Sequence, residues 1–218
     1  MTWGNTLYTW EMQECQTWFY GWVESVRHHI DMHKNPCYNQ FMKILIVIDM
    51  QNDFVTGSLG TKQAEVIVPK VAKKVESFAG DKNIVVFTKD THDQNYLNTF
   101  EGENLPIEHC IKGTNGWQIV DQLKVYAEKS NAIIDKPTFG SFELLDFLEP
   151  LVRNGNIEEI ELCGLCTDIC VVANALLLRT KFPEMPIKVD ATCCAGVSEE
   201  THNCALKTMQ SCQIEVVY

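Results

Sequence analysis

The sequence predicts an α/β protein with a doubly wound, mostly parallel six-stranded sheet and helices on both faces. Apolar runs of strand length alternate with segments in which apolar residues recur at helical spacing. The run at 43–49 (KILIVID) is almost continuously apolar, which is typical of a strand whose two faces are both covered. Repeated strand–helix units of this kind favour a parallel sheet between two helix layers.

The predicted elements alternate along the chain from residue 43 onward. Strands are expected at residues 43–49, 83–90, 131–136, 157–165, 187–189 and 214–218. Helices are expected at residues 62–79, 141–152, 168–180 and 198–211. The first helix shows the clearest pattern, because one apolar stripe runs through Ala64, Ile67, Val71 and Val75 with lysines and glutamates opposite.

Residues 1–41 differ in composition from the rest of the chain. They contain four of the five tryptophans and three of the six histidines. The histidines could suggest a metal site, but a solvated face explains them more simply. Since every predicted strand follows Met42, the chain is expected to divide into an N-terminal appendage of unassigned role at 1–41 and one domain at 42–218.

The overall charge and the cysteine content exclude several classes of partner. A formal net charge of −11 repels nucleic acid and anionic membranes. No apolar run reaches the roughly 20 residues of a membrane span, and no secretory signal is visible at the N-terminus. The protein is therefore expected in the cytoplasm, where its 10 cysteines would be reduced thiols.

Reactive side chains follow four of the predicted strands, at the point where each strand ends. Asp49 ends the first strand, and Asp90 ends the second with His92 two residues later. Lys136 ends the third strand, and Cys170 follows the fourth. The carboxyl ends of parallel strands lie at one edge of the sheet, which is where ligands bind in open α/β sheets. The sequence therefore predicts a site at that edge.

Cys170 has the features of an activated nucleophile. It lies at the start of a predicted helix, where backbone N–H groups and the helix dipole favour a thiolate. Asp49 could take the thiol proton, and Lys136 could stabilise the thiolate and the acid. Considered alone, however, Cys170 is better explained as a buried, apolar thiol at a helix start.

Three cysteines at short spacing, Cys163, Cys166 and Cys170, also raise the alternative of a metal or iron–sulfur site. This alternative is disfavoured because no fourth cysteine follows at short spacing.

Five motifs together resemble the isochorismatase-like cysteine hydrolases, and within them the nicotinamidases. In chain order they are residues 48–54 (IDMQNDF), 90–92 (DTH), 109–114 (HCIKGT), 136–142 (KPTFGSF) and 164–170 (GLCTDIC). The resemblance covers residues 42–218. It implies an enzyme that hydrolyses a small pyridine carboxamide, nicotinamide, to nicotinate and ammonia through a cysteine thioester, in NAD salvage.

The resemblance also implies a role for each residue of a catalytic triad. Asp49, Lys136 and Cys170 match it, and the nucleophile of the family's Thr-Asp-x-Cys motif falls on Cys170 and not on Cys166. A cis peptide is expected between Leu165 and Cys166. It would aim the backbone amides of Cys166 and Cys170 at the oxyanion formed during the reaction.

A divalent metal ion near the triad is implied by the nicotinamidase motifs. Asp90, His92 and His109 match the ligands of that ion, and Glu101 matches a glutamate that some members use, with Glu103 as the second choice. Zn²⁺ is expected first, with Mn²⁺ and Fe²⁺ as alternatives. The ion would bind the ring nitrogen of the substrate. The opposing interpretation is that the two histidines are ordinary surface residues.

Phe54 and Phe139 lie inside the triad motifs and are candidates for the walls of the substrate pocket, although core packing explains them equally well. The protein is expected to form a homo-oligomer. Two further functions stay open, which are another amidase of the same superfamily and a catalytically silent binding homologue.

Overall fold

The computed structural model describes residues 41–78 and 82–218, and a six-stranded parallel sheet organises this part of the chain. The strands are β1 (Met42–Ile48), β2 (Ile84–Asp90), β3 (Ala132–Lys136), β4 (Ile157–Leu165), β5 (Ile187–Ala195) and β6 (Glu215–Val217). The predicted fold class and all six strands are confirmed, and every pairing in the sheet is parallel.

Strand β5 is the one strand whose predicted extent was wrong, because it continues from residue 189 to Ala195. The extension begins with a buried acid, Asp190, which interrupts the apolar run in the sequence. Lys74 from the helix above pairs with this acid at 2.5 Å, so that the acid is accommodated inside the sheet. The same lysine pairs with Glu161 of β4 at 2.6 Å.

Helices connect the strands, as the alternating pattern predicted. They are α1 (Asn52–Val55), α2 (Lys62–Phe78), α3 (Phe100–Asn104), α4 (Asp121–Ala127), α5 (Phe142–Asn154), α6 (Val172–Lys181) and α7 (Glu199–Ser211), with a 3₁₀ turn at Tyr96–Asn98. The four long helices were predicted. The short helices α1, α3 and α4 were not, because segments of four to seven residues are too short to display a helical apolar period.

The strand order, β3-β2-β1-β4-β5-β6, places the point where the topology reverses between β1 and β4. The chain builds outward from β1 to β3 and then returns to the other side of β1. Right-handed crossovers put α2 and α4 on one face of the sheet and α5, α6 and α7 on the other. In such sheets the crevice at the reversal point is the usual place for a ligand.

The core lies on both faces of the central strands. The whole of Ile44–Ile48 in β1 is inaccessible to solvent, which explains why its sequence is almost continuously apolar. The predicted stripe on α2 is confirmed as buried, and this helix packs across β1, β4 and β5.

The backbones of the paired strands β1 and β4 come into close contact at Gly164. This glycine has a φ of +116°, and a Cβ placed on it would collide with the carbonyl oxygen of Ile48. The next peptide, Leu165–Cys166, is cis, as expected from the motif. Asp49, which follows β1 on the neighbouring strand, also has a positive φ of 47°.

The expectation that residues 1–41 form an appendage concerns residues that, apart from Phe41, lie outside those described, and it stays a prediction. Within residues 41–78 and 82–218, no helix combines the length and the apolarity needed to cross a bilayer.

Replacing Gly164 with alanine is expected to lower the free energy of unfolding by about 3–5 kcal/mol, since a backbone collision adds to the strain of a positive φ. Gly113→Ala is the matched control, because Gly113 has a φ of +87° with nothing within 4 Å of its added Cβ. The control should lose only about 1–2 kcal/mol. Urea unfolding of both variants measures the difference, and equal losses would contradict the collision.

Candidate active site and metal centre

A buried ammonium group joins the predicted catalytic residues. Lys136 Nζ lies 2.7 Å from Asp49 Oδ2 and 3.4 Å from Cys170 Sγ, and it donates a hydrogen bond of 3.1 Å to the carbonyl oxygen of Thr138. The structure therefore brings the three triad residues together at the carboxyl edge of the sheet. Among the hydrogen bonds of the described residues, none joins Asp49 directly to Cys170, so Lys136 is the group that touches both.

Asp49 is held by a hydrogen bond on one oxygen and by an ion pair on the other. The hydroxyl of Thr88 donates to Asp49 Oδ1 at 2.7 Å, and the Lys136 ammonium contacts Oδ2. Burial raises the pKa of the Asp49 carboxyl above its ordinary value, and the charge of Lys136 opposes that rise. Asp49 is consequently a better proton acceptor than an exposed aspartate. Thr88 was missed in the sequence because a threonine inside a strand has no distinguishing mark.

The turn that carries Cys170 differs from the prediction. We expected a regular helix from residue 168, but a wider, π-helical turn spans Thr167–Val171, and α6 begins at Val172. The amide of Val171 donates to the carbonyl oxygen of Cys166 at 3.0 Å, which is the five-residue spacing of a π turn. Cys170 is therefore inside this turn and precedes the first residue of the α-helix.

The helix start does not by itself produce a thiolate. Burial raises the pKa of the Cys170 thiol well above its ordinary value, while the positive charge of Lys136 acts in the opposite direction. The direction of this shift favours the thiol over the thiolate, so a nucleophilic role for Cys170 would require the transfer of its proton. Cys166 is half-buried, and burial raises its thiol pKa to about 12.

Three predicted metal ligands converge beside the triad. The ligand atoms of Asp90, His92 and His109 all lie within 4.8 Å of one another. His92 Nε2 is 2.9 Å from Asp90 Oδ2, and His109 Nε2 is 3.5 Å from the same oxygen. Both histidines are almost fully buried, so the alternative that they are ordinary surface residues is wrong.

The surroundings of these histidines fit a metal ion. His109 Nδ1 is 2.9 Å from the carbonyl oxygen of Ile107, which can only accept, so this nitrogen carries a proton and the neutral ring would present the lone pair of Nε2 to a metal ion. His92 Nε2 is buried and, although it is close to Asp90, has no hydrogen-bond partner in a suitable geometry. Two imidazole nitrogens and a carboxylate form a donor set that suits Zn²⁺, Mn²⁺ or Fe²⁺.

Glu101 is the better placed of the two candidate glutamates. Its Oε1 lies 3.7 Å from His92 Nε2 and 3.8 Å from His109 Nε2, whereas Glu103 is exposed. Both belong to the short helix α3, and Glu101 is on the side that faces the histidines. The geometry therefore favours Glu101 as the fourth ligand.

Asp90 belongs to both halves of the site. Its Oδ1 is 3.2 Å from Lys136 Nζ, while its Oδ2 faces the two histidines. Burial acts to raise the pKa of Asp90, but the interactions with His109 and His92 and the charge of Lys136 outweigh it and hold the pKa below the ordinary range. These interactions favour the ionised form of Asp90.

Gln51 fixes the backbone at this carboxylate and was missed as a functional residue. Its Oε1 accepts from the Asp90 amide at 2.7 Å, and its Nε2 donates at 2.9 Å to the carbonyl oxygens of Asp90 and Trp117. The side chain is completely buried. Its position in the first motif was visible in the sequence, but its partners lie 39 and 66 residues away.

Aromatic rings surround the two histidines. Tyr96 is fully buried, and its ring centre is 4.6 Å from that of His92 and 4.9 Å from that of His109. Phe54 is buried with its ring centre 5.6 Å from that of His109, whereas Phe139 is 47% exposed. The proposed role of both phenylalanines as pocket walls stays a prediction. Tyr96 had no signal in the sequence.

Comparisons with known proteins identify the family of this chain. The sequence model described as the Isochorismatase domain matches residues 43–217. A nicotinamidase/pyrazinamidase of Mycobacterium tuberculosis is 28% identical over 194 residues, which cover 81% of this chain and 98% of that protein.

Two solved structures share the fold. The nicotinamidase/pyrazinamidase PncA from Bacillus subtilis has a TM-score of 0.71 and 29% identity, covering 82% of this chain and 100% of that one. A pyrazinamidase of Pyrococcus horikoshii in complex with zinc has a TM-score of 0.68 and 28% identity, covering 80% of this chain and 98% of that one.

Gln51→Leu is expected to lower the free energy of unfolding by about 2–4 kcal/mol, because it removes two buried hydrogen bonds to the Asp90 backbone and a part-buried one to Trp117. Asn52→Ala is the matched control. Its amide makes one exposed hydrogen bond of 2.8 Å to Asn115, so its loss should stay below about 1 kcal/mol. Denaturant unfolding measures both variants, and a Gln51→Leu protein as stable as the control would refute the role of Gln51 in fixing this backbone.

Proposed function

The chain belongs to the isochorismatase family, and we propose that it is a nicotinamidase that hydrolyses nicotinamide to nicotinate and ammonia. The observation that carries the proposal is the position of Lys136, whose ammonium contacts Asp49, Cys170 and Asp90 at once. These contacts support an acid–lysine–cysteine triad that lies next to the proposed metal ligands. A hydrolase that activated water on a metal would need no thiol, so the presence of both groups supports divided roles.

In the proposed reaction, Asp49 takes the proton of the Cys170 thiol. Lys136 lies between the two groups, so its ammonium can give a proton to Asp49 as it receives one from the sulfur, and it remains positive. The thiolate then attacks the carboxamide carbon. A tetrahedral intermediate forms, in which the former carbonyl oxygen carries the negative charge.

The backbone amides of Cys166 and Cys170 receive this oxyanion in the proposal. Asp49 returns its proton to the leaving nitrogen, the carbon–nitrogen bond breaks, and ammonia departs. Water, deprotonated by Asp49, then attacks the thioester that remains on Cys170. The carbon–sulfur bond breaks, Asp49 returns its proton to the sulfur to restore the thiol, and nicotinic acid loses its own proton to solvent and leaves as nicotinate.

Asp90, His92, Glu101 and His109 would hold one divalent ion, with Zn²⁺ as the first choice because a related pyrazinamidase has been solved with zinc. When bound, this ion supplies a Lewis acid that anchors the ring nitrogen of the substrate. The chain's own contribution is to orient the two imidazoles and to exclude water with the rings of Phe54 and Tyr96.

We also propose the setting in which the protein acts. The eight cysteines in the described residues are all free thiols, which suits the reducing cytoplasm. The charge of −11 argues against nucleic acid and membrane partners. A small pyridine carboxamide in NAD salvage is the proposed substrate, and a homo-oligomer is the proposed state.

Cys170→Ala is expected to fold but to lose at least about 10³-fold in ammonia release from nicotinamide, because the thioester cannot form. Cys166→Ala is the matched control, since only its backbone amide takes part, and it should stay within about tenfold of the parent. An enzyme-coupled ammonia assay measures the rates. Mass spectrometry of a trapped acyl-enzyme should locate the adduct on Cys170, and an adduct on Cys166 or Cys110 would overturn the assignment.

Glu101→Gln is expected to reduce the bound metal and the turnover of nicotinamide, whereas Glu103→Gln should change neither.

His92→Ala should lower metal affinity and turnover by more than the roughly 10–100-fold that follows the loss of a residue that only orients a metal ligand. It should still allow iodoacetamide to alkylate Cys170, because His92 does not touch the triad. Asp90 is unsuitable for this test because it also contacts Lys136.

Elemental analysis and ammonia release measure these effects, and benzamide, which lacks the ring nitrogen, should be a poor substrate of the parent enzyme. Equal rates on nicotinamide and benzamide, or full turnover without metal, would favour a metal-independent amidase of the same family.

A further inference from the structure

Asn174 makes three hydrogen bonds with its side-chain amide although it is only 1% exposed. It lies in the first turn of α6, one turn after Cys170. Its Nδ2 donates to the carbonyl oxygen of Cys170 at 2.8 Å and to that of Phe139 at 3.0 Å. Its Oδ1 accepts from the amide of Ser141 at 3.0 Å. All three bonds go to backbone groups. Cys170 lies in the turn before α6, whereas Phe139 and Ser141 lie in the loop that follows β3.

The segment that Asn174 binds is the loop after Lys136. This loop supplies the carbonyl oxygen of Thr138, which accepts from the Lys136 ammonium at 3.1 Å. Thr138 Oγ1 donates to the carbonyl oxygen of Gly140 at 2.7 Å, so the loop is also braced internally. A Cβ on Gly140 would be 2.5 Å from a methyl group of Leu177, which shows how closely the loop packs against α6.

We propose that Asn174 is a positioning residue of the catalytic site, which holds the Cys170 turn and the Lys136 loop at a fixed separation. The proposal rests on the proposed function, because it takes Cys170 as the nucleophile. The sulfur and the ammonium are 3.4 Å apart, and each belongs to a segment that Asn174 binds. Removing the Asn174 amide would remove the hydrogen bonds that join the Cys170 turn to the loop after Lys136.

The chemistry of the three partners explains why an asparagine is needed. Two carbonyl oxygens and one N–H require two donors and one acceptor on the same planar group, and an amide offers that set. An aspartate has the same shape but would direct an oxygen at two carbonyl oxygens. An alanine would remove all three of these hydrogen bonds, two of which are buried, so that the two segments could move apart.

Asn174→Ala is expected to lower kcat for nicotinamide by about 10²-fold, because a displacement of about 1 Å between reacting groups has an effect of that size. The metal content should stay near the parent value, since the side chain of Asn174 makes no hydrogen bond to a metal ligand. Iodoacetamide should alkylate Cys170 correspondingly more slowly, with the exposed Cys204 and Cys212 as internal references in the same protein.

Leu178→Ala is the matched control. Leu178 is fully buried on the same helix, and its truncation should lower the thermal midpoint at least as much as Asn174→Ala while leaving kcat per folded molecule unchanged. If Asn174→Ala does not fold, Asn174→Asp replaces it, because it keeps the shape of the side chain but lacks the two donors. The same measurements of kcat and of Cys170 alkylation then test the proposal. Parent-like kcat and alkylation in the variant that folds, or a loss of activity no greater than that of Leu178→Ala, would overturn the proposal.

The same experiment separates this inference from the proposed substrate. If the parent protein releases no ammonia from nicotinamide, the proposed function fails. The alkylation of Cys170 requires no substrate and then decides the role of Asn174 by itself, with slower alkylation in the variant as the supporting result.

Discussion

The Lys136 ammonium is completely buried, and its removal from water carries a cost of several kcal/mol that only close acceptors can offset. Two carboxylates, a backbone carbonyl and a thiol surround it. Its neighbours raise the pKa of Lys136 well above the ordinary value in spite of burial, so the group stays charged. The ammonium reaches these partners only because Lys136 is the last residue of β3. The register of β3 against β2, with Lys136 opposite Asp90, provides that position.

The sheet topology explains why the sequence revealed most of the candidate site. Each strand of a parallel sheet delivers its last residue to the same edge, so a polar residue that ends an apolar run can be assigned to that edge from the order of residues alone. Asp49, Asp90 and Lys136 were found in this way. The family motifs then added His109 and Glu101, which lie in the long connection after β2 and have no strand to mark them.

The supporting residues could not be found in the same way. Thr88, Gln51, Tyr96 and Asn174 are ordinary residue types, and their roles arise largely from partners far away in the chain. The π turn around Cys170 was missed for a related reason. Its apolar spacing is that of a normal helix, and the extra residue in the turn is apparent only from the hydrogen bond between Val171 and Cys166. The local sequence pattern determines which helices and strands form, whereas long-range contacts determine the exact positions of their side chains.

The shared carboxylate of Asp90 also bears on how a product would leave. Asp49, Asp90 and Glu101 contribute −3 and Lys136 contributes +1, so these four groups carry a formal charge of −2 that one divalent ion would balance. A neutral carboxamide could then enter without disturbing the balance. The proposed reaction converts it into a carboxylate, which adds a negative charge to a balanced, poorly hydrated cluster. The cost of holding an unbalanced charge away from water would therefore fall on the product and not on the substrate, and the chemical step itself would favour release before the next turnover.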